Sequence, residues 1–191
     1  MTDRQNYLRR LPSENYCGQA YVHWSLTISE RATGWLKPIT LYKFRELLTH
    51  STFRYGFCCP IFCLVSDHLH MMWVGILDEA DQLRAMRHFR KSMNPVLQAF
   101  GCQLQNQAYD NVLKDDERQE SLFEGTCEYI ARNAERKELV PKDGYAHYKY
   151  SGCIVPGYSE LKPFERDFWS RFWRTYSYLR KNGLNRKQDR T

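Results

Sequence analysis

The sequence predicts an α+β sandwich, in which one sheet packs against helices on one of its faces. Two observations carry this prediction. Segments with strand-like and helix-like hydrophobic spacing alternate along the chain in the order βαββαβα. No internal repeat and no low-complexity linker divides the 191 residues, and a hydrophobic share of 42% suffices for one sizeable core.

The first half of the chain contains three predicted strands and one helix. Residues 20–28 alternate between apolar and polar side chains, which is the pattern of a half-buried strand. A helix with Thr40 as its candidate cap follows and ends near Gly56, because apolar residues recur there at helical spacing. Two apolar runs, 57–65 and 68–76, come next, and the polar Ser-Asp pair between them predicts a hairpin or two adjacent strands.

The second half contains two predicted helices and a short strand. A long helix is predicted from about Glu79 to Phe100. Its polar side carries titratable residues at positions i, i+3, i+4 and i+7, namely Arg84, Arg87, His88 and Lys91. A short strand at 107–113 precedes a further helix, which Asp115 or Asp116 would cap and which would run to about Arg136.

Composition favours a soluble intracellular protein. No stretch approaches the roughly 20 uninterrupted apolar residues that span a bilayer, and the first residues lack the apolar core of a secretory signal. The seven cysteines are expected to be reduced, since their number is odd and no export signal precedes them. The lack of a C-x2-C pair argues against a zinc–thiolate site.

The net charge of +6 is concentrated at the C-terminal end. Residues 162–191 hold nine Lys or Arg against three acidic residues, so this aromatic-rich segment alone accounts for the excess. Two interpretations stay open. The segment could bind a polyanion through its charges and stack its rings on bases. Alternatively, residues 162–178 form a helix whose rings dock on the core, and only the basic end that follows contacts a nucleic acid. The candidates for that contact are Arg180, Lys181, Arg186 and Lys187.

Two of the chain's six histidines stand one residue apart in the run VSDHLHMMWV. Side chains on a strand alternate between its two faces, so His68 and His70 project to the same face, within reach of one small ion. Two imidazoles make an incomplete metal site. A further ligand therefore has to come from elsewhere in the chain.

A second cluster lies in the stretch TCEYIARNAERKELV of the helix predicted to end near residue 136. Tyr129 and Asn133 are four residues apart and share one side of the helix. Gly125, one turn earlier, costs the helix about 1 kcal/mol relative to alanine, which is tolerable where a backbone or ligand approaches closely. Arg132 and Arg136 would give a phosphate near Tyr129 a positive environment. The plain alternative is an ordinary surface helix with a half-buried tyrosine.

These pieces follow one another in a specific order. A hydrophobic strand with His-hydrophobic-His leads to a basic helix, and a later helix reads Tyr-Ile-x-x-Asn before a Tyr/Ser turn. In this order they resemble the single-tyrosine HUH transposases, and within that family the REP-associated tyrosine transposases, over about residues 18–156. The matching residues are Asp67-His-Leu-His70, Phe89-Arg-Lys-Ser92, Tyr129-Ile130, Asn133, Arg136, Leu139-Val140 and Tyr148-Lys-Tyr-Ser151.

The resemblance implies an enzyme that cuts and rejoins single-stranded DNA at hairpin-flanked sites through a 5′-phosphotyrosine intermediate. It implies a ferredoxin-like sandwich with an antiparallel sheet, the HUH motif on a strand and the catalytic tyrosine on a helix. Tyr129 would be the nucleophile, and His68, His70 and Asn133 would hold a divalent Mg²⁺ or Mn²⁺ ion. The family usually has proline after this asparagine, where the chain has Ala134.

The resemblance also implies how the chain is divided and what it binds. Residues 1–17 would form an N-terminal arm, 18–156 the catalytic domain, and 157–191 a basic aromatic extension. The partner would be single-stranded or hairpin DNA in the cytoplasm, with the protein on the nucleoid when bound, as a monomer or a homodimer. The expected DNA contacts are Arg84, Arg87, His88, Lys91, Arg132, Arg136, Arg180, Lys181, Arg186 and Lys187.

Two other functions stay open. A nucleic-acid-binding module could keep the fold and the positive charges of the long helix and the tail without turnover. An unrelated metal-dependent hydrolase could use the histidine pair, as cupin-like folds do. Such a fold needs more strands, and more glutamate and histidine ligands, than the chain offers.

Overall fold

A computed structural model describes residues 10–184 of the chain. Its strands are β1 (Tyr21–Thr27), β2 (Phe57–Leu64), β3 (His68–Gly75), β4 (Tyr109–Val112) and β5 (Ser151–Ile154). They form one antiparallel sheet in the order β4-β1-β3-β2-β5. The predicted α+β class and antiparallel sheet are confirmed.

The helices connect and cover this sheet. They are α1 (Pro38–Tyr55), α2 (Gln82–Gln98), α3 (Glu120–Ala131), α4 (Asn133–Arg136) and α5 (Phe168–Asn182). α1 begins at Pro38, whose ring presets a helical φ, so Thr40 lies inside the helix and does not cap it. α1 ends as predicted at Gly56, which adopts the left-handed conformation with φ 73°.

The helix predicted to run to Arg136 does end there, but it begins later than predicted and is interrupted. Its predicted aspartate caps are wrong, because residues 116–118 form a separate short 3-10 helix and α3 begins only at Glu120. The helix is also interrupted at Arg132, where ψ rises to 0° before α4 begins at Asn133. Tyr129 and Asn133 therefore stand on either side of a break.

One face of the sheet packs on α1 and α2 through large aromatic side chains. Trp24 of β1 and Trp73 of β3 are both fully buried there, and Trp73 lies against Phe89 of α2 with ring centroids 6.1 Å apart. Phe44 of α1 packs edge to face on Phe62 of β2 at 4.9 Å. This layer corresponds to the predicted sandwich.

The opposite face of the sheet carries a second layer, made by α3 and α5. Tyr21 of β1 contacts Phe123 of α3 at 5.2 Å and Tyr176 of α5 at 6.4 Å. Helices thus cover both faces where the sequence predicts one. The physical reason lies in β2 and β3, which are buried along almost their whole length, and strands buried on both faces need cover on both.

The terminal segments pack on the same body. Arg10 pairs with Asp110 of β4 at 2.9 Å, and the buried Tyr16 donates a hydrogen bond to the same carboxylate. The ring stripe of α5 docks on Phe123, as its spacing predicts, with Trp173 at 5.3 Å. The division into segments 1–17, 18–156 and 157–191 stays a prediction, and contacts join the described parts of all three.

Two expectations about the environment of the chain can be compared with the structure. All seven cysteines fall within residues 10–184 and are free thiols, and six of them are buried. Along the same stretch, the helices are all too short or too polar to cross a membrane.

Candidate active site

His68 and His70 lie side by side on the face of the sheet that α3 covers. They occupy alternate positions of β3, and their ring centroids are 4.7 Å apart with the planes at 86°. Asn133 is buried, and its side chain lies close enough to His70 to influence the pKa of that imidazole. The structure therefore brings together the three residues that the sequence proposes as metal ligands.

Asp67 fixes the orientation of His68. Its Oδ1 accepts a hydrogen bond from His68 Nδ1 at 2.7 Å, so the proton sits on Nδ1 and Nε2 keeps its lone pair. Lys137 Nζ lies 3.1 Å from Oδ1, and Arg31 Nη1 lies 3.0 Å from Oδ2. Burial alone would raise the pKa of Asp67, but the hydrogen bonds from His68 and Lys137 outweigh burial and hold that pKa well below its usual range.

A third histidine, which sequence reasoning missed, completes the cluster. His23 of β1 places its Nε2 3.1 Å from His70 Nδ1, with the ring centroids 5.2 Å apart. The contact arises because β1 pairs with β3 and Ser25 lies directly opposite His70, so His23 is the diagonal neighbour. The alternation of residues 20–28 does put His23 on the polar face of its strand, but that pattern alone does not identify β3 as its neighbour.

The imidazoles of this cluster are neutral near pH 7. Burial lowers the pKa of His70 to about 3, with smaller contributions from the neighbouring His23 and His68. Burial likewise lowers the pKa of His23 to about 4. Burial also lowers the pKa of His68, although the Asp67 carboxylate opposes the shift. Neutral imidazoles are the form that binds metal ions.

The low histidine pKa values predict how stability depends on pH. The unfolded chain takes up protons on His23 and His70 near pH 6.5 and the folded chain does not, so the free energy of unfolding should fall as pH drops from about 6.5 to about 4. Urea unfolding of metal-free protein across this window measures the slope. His23→Gln should flatten it, and a flat profile for the wild type would contradict the shifts. Asp67 contributes to the pH dependence of the free energy of unfolding only below its unfolded pKa of about 3.9.

Asn133 joins the end of α3 to the cluster. Its Nδ2 donates to the carbonyl oxygens of Ile130 at 2.9 Å and Tyr129 at 3.4 Å, groups that the helix break leaves without their usual partners. The amide nitrogen is thereby committed to the backbone. The Oδ1 atom is left to face His70 and any ion bound there.

Tyr129 sits one turn before Asn133 with 55% of its surface exposed. The guanidinium of Arg136 lies over its ring, with Cζ 3.9 Å from the ring centroid, and also donates a hydrogen bond to the Tyr129 carbonyl oxygen. The Arg136 charge also contributes to the low pKa of His70, after burial and the two other histidines. A single cation therefore lies close to both the candidate nucleophile and the histidine cluster.

Arg132 is held by acidic residues. Its guanidinium pairs with Glu128 at 2.8 Å, Glu135 at 2.9 Å and Asp143 at 3.2 Å, and it lies over the ring of Tyr145 at 4.3 Å. Three carboxylates outweigh its single charge. A DNA phosphate would have to compete with all three, so Arg132 is a weaker candidate contact than Arg136.

The basic row of α2 lies away from the cluster. α2 packs on the sheet face opposite His68 and His70, because its Phe89 contacts Trp73, which alternates with them along β3. Within the row, the His88 ring lies 5.6 Å from Tyr55 of α1. The residues concerned are Arg84, Arg87, His88 and Lys91. The structure does not bring this row together with the histidines.

The basic C-terminal candidates fall into two groups. Arg180 bonds within the fold, to Asp78 at 3.0 Å and to the Ile76 carbonyl oxygen, while Lys181 is exposed. Arg186 and Lys187 lie outside the described residues. The proposed nucleic-acid contact of this end thus rests on its sequence.

The donor set of the cluster fits a divalent cation. Between residues 10 and 184, no group of three or more His, Cys, Asp or Glu side chains could hold a metal, so the third ligand would be the Asn133 amide oxygen. The Asp67 hydrogen bond leaves the Nε2 lone pair of His68 available. Two imidazoles and one amide oxygen, with positions left for water, are compatible with Mn²⁺ or Mg²⁺.

Comparison with known proteins bears on the fold. No family model and no curated protein sequence matches the chain. A solved REP-associated tyrosine transposase bound to a REP hairpin is similar in structure, with a TM-score of 0.60 at 14% identity over 76% of this chain and 81% of that one. A bacterial tRNA(His) guanylyltransferase-like protein in complex with GTP covers 91% of both chains at 11% identity, but its TM-score of 0.45 is too low to carry an argument. The resemblance seen in the sequence is therefore confirmed at the level of the fold, which is that of a REP-associated tyrosine transposase.

Proposed function

We propose that this protein is a metal-dependent single-stranded DNA endonuclease and strand transferase that acts at hairpin-flanked sites. One observation carries the proposal. Asn133, a turn after the exposed Tyr129, reaches back to the α3 end and across to His70, so one side chain links the candidate nucleophile to the candidate ligands. The fold it shares with a hairpin-bound transposase supports the same function.

The proposed reaction is a transesterification at Tyr129. The phenol oxygen attacks a backbone phosphorus, the bond from phosphorus to the 3′-oxygen breaks, and a 5′-phosphotyrosine and a free 3′-OH result. The phenol proton passes to solvent, which reaches this exposed side chain, and the departing 3′-oxygen takes a proton in return. Because the phosphodiester energy is kept in the link to tyrosine, a second 3′-OH can reverse the step without ATP.

The remaining groups prepare this step. A divalent ion, when bound, polarises a non-bridging phosphate oxygen and stabilises the charge of the in-line transition state. His68, His70 and Asn133 are the residues that would hold it, and Asp67 keeps His68 in the required tautomer. Arg136, lying over the Tyr129 ring, would attract the phosphate to the candidate nucleophile.

The wider DNA contacts remain part of the proposal. Arg136 would contact a phosphate of the cleaved strand, whereas the basic row on α2 faces away from the site. DNA that touches both would have to pass around an edge of the sheet, as a hairpin with a single-stranded flank could. Because the proposed substrate is DNA, we also propose that the protein is located in the bacterial cytoplasm and is associated with the nucleoid while it binds DNA.

Covalent trapping tests the proposal. Labelled single-stranded DNA containing hairpins is incubated with the protein and Mn²⁺, then separated on a denaturing gel. We expect a labelled band at the size of the protein plus DNA, and its loss when EDTA removes the ion. If neither Mn²⁺ nor Mg²⁺ gives an adduct while a native gel still shows binding, the protein is a hairpin-binding module without turnover.

A further inference from the structure

The two candidate metal-ligating histidines are held in the same way by two different partners. His68 Nδ1 lies 2.7 Å from Asp67 Oδ1, and His70 Nδ1 lies 3.1 Å from His23 Nε2. In both rings the Nδ1 edge is engaged with a neighbour. In both rings, therefore, Nε2 is the atom left to face a ligand.

We propose that His23 is a positioning residue that orients His70 for binding a divalent cation. The inference rests on the proposed function only in taking His70 as a ligand. A cation takes the lone pair of Nε2, so the ring proton has to sit on Nδ1, and His23 Nε2 is the acceptor that receives its hydrogen bond. His23 does not bind the cation through this atom, because the atom is committed to His70.

The backbone determines this arrangement. β1 and β3 pair in register from Tyr21 with Val74 to Thr27 with His68, and His23 is set on the diagonal from His70. Two adjacent strands of one sheet hold both rings, so neither depends on a loop. Two β1 side chains lie beside His70. Ser25 is directly opposite it, and His23, on the diagonal, provides the ring nitrogen that contacts His70 Nδ1.

Mn²⁺ binding without DNA tests the inference. The unbound ion has a sharp electron paramagnetic resonance signal that disappears on binding, so a titration yields the dissociation constant. His23→Leu keeps much of the side-chain volume but has no acceptor, and we expect Mn²⁺ binding to weaken about 10- to 100-fold, the usual effect of losing such a partner. His23→Gln restores an acceptor near the position of Nε2 and should bind within about threefold of the wild type. Ser25→Ala is the matched control and should bind normally.

A spectroscopic readout separates positioning from general stability. Electron spin echo modulation of bound Mn²⁺ detects directly coordinated imidazole nitrogens, and we expect two in the wild type and in His23→Gln. In His23→Leu the His70 nitrogen should be lost from the pattern or weakened.

Several results would overturn the inference. They are wild-type affinity in His23→Leu, a third coordinated nitrogen in the wild type, equal weakening by Ser25→Ala, or no Mn²⁺ binding by the wild type. Failure of the proposed function looks different, since Mn²⁺ would bind as described and no DNA would give an adduct.

Discussion

Replacing Tyr129 by phenylalanine is expected to abolish the covalent protein–DNA adduct and to lower strand cleavage by at least about three orders of magnitude, the scale on which enzymes lose rate with their nucleophile. The substitution removes one oxygen and leaves the ring under Arg136. Since 55% of the side chain is exposed, the free energy of unfolding should change by less than about 0.5 kcal/mol. Gel retardation should show unchanged hairpin affinity.

Tyr178→Phe is the matched control for this experiment. Tyr178 also lies on a helix, α5, and is 54% exposed, so it loses the same atom in a similar setting and should cleave normally. Mass spectrometry of the trapped adduct should place the DNA on Tyr129. Tyr148 and Tyr150 are poor alternatives, because their hydroxyls donate to the carbonyl oxygens of Leu64 and Leu36. An adduct on any other tyrosine would falsify the assignment.

Replacing His70 by alanine should abolish DNA cleavage, because it removes a candidate ligand of the metal ion. We expect at least a hundredfold loss of adduct formation, while hairpin affinity stays within a few-fold, because phosphate contacts supply most of the binding energy. The variant should also fail to bind Mn²⁺, which Tyr129→Phe should still do.

His50→Ala is the control for His70→Ala. It removes an exposed histidine from α1, on the opposite face of the sheet, and should leave Mn²⁺ binding and cleavage unchanged. The metal role of His70 is ruled out if His70→Ala forms adduct at the wild-type rate. Circular dichroism of each variant shows whether the fold is kept.

The sequence predicts those parts of the site that depend on a local period. His68 and His70 face the same way because a strand repeats every two residues. Tyr129 and Asn133 stay close, as helical spacing predicts, although the helix is interrupted between them at Arg132. The strands that carry the histidines were located to within one or two residues. Such local patterns do not depend on what the segment packs against.

The parts that were missed depend on which segments meet. His23 reaches His70 only because β1 lies between β4 and β3, and strand order is not visible in the alternation of residues 20–28. The second layer of helices follows from the continuous burial of β2, a signal that the apolar run 57–65 did contain. The acidic partners of Arg132 were partly foreseeable, since Glu128 and Glu135 stand at helical spacing from it.

The double engagement of Asn133 limits which residues can replace it. Its nitrogen satisfies two carbonyl oxygens at the end of α3, and its oxygen is what remains for the site. Aspartate would bind a metal ion more strongly, but it would set a negative charge against those carbonyls and remove the amide donor that they share. Histidine has no second donor to divide between them. An amide is thus the group that can both close the helix and offer an oxygen, so natural variation at this position should favour asparagine even where a stronger ligand would improve metal affinity.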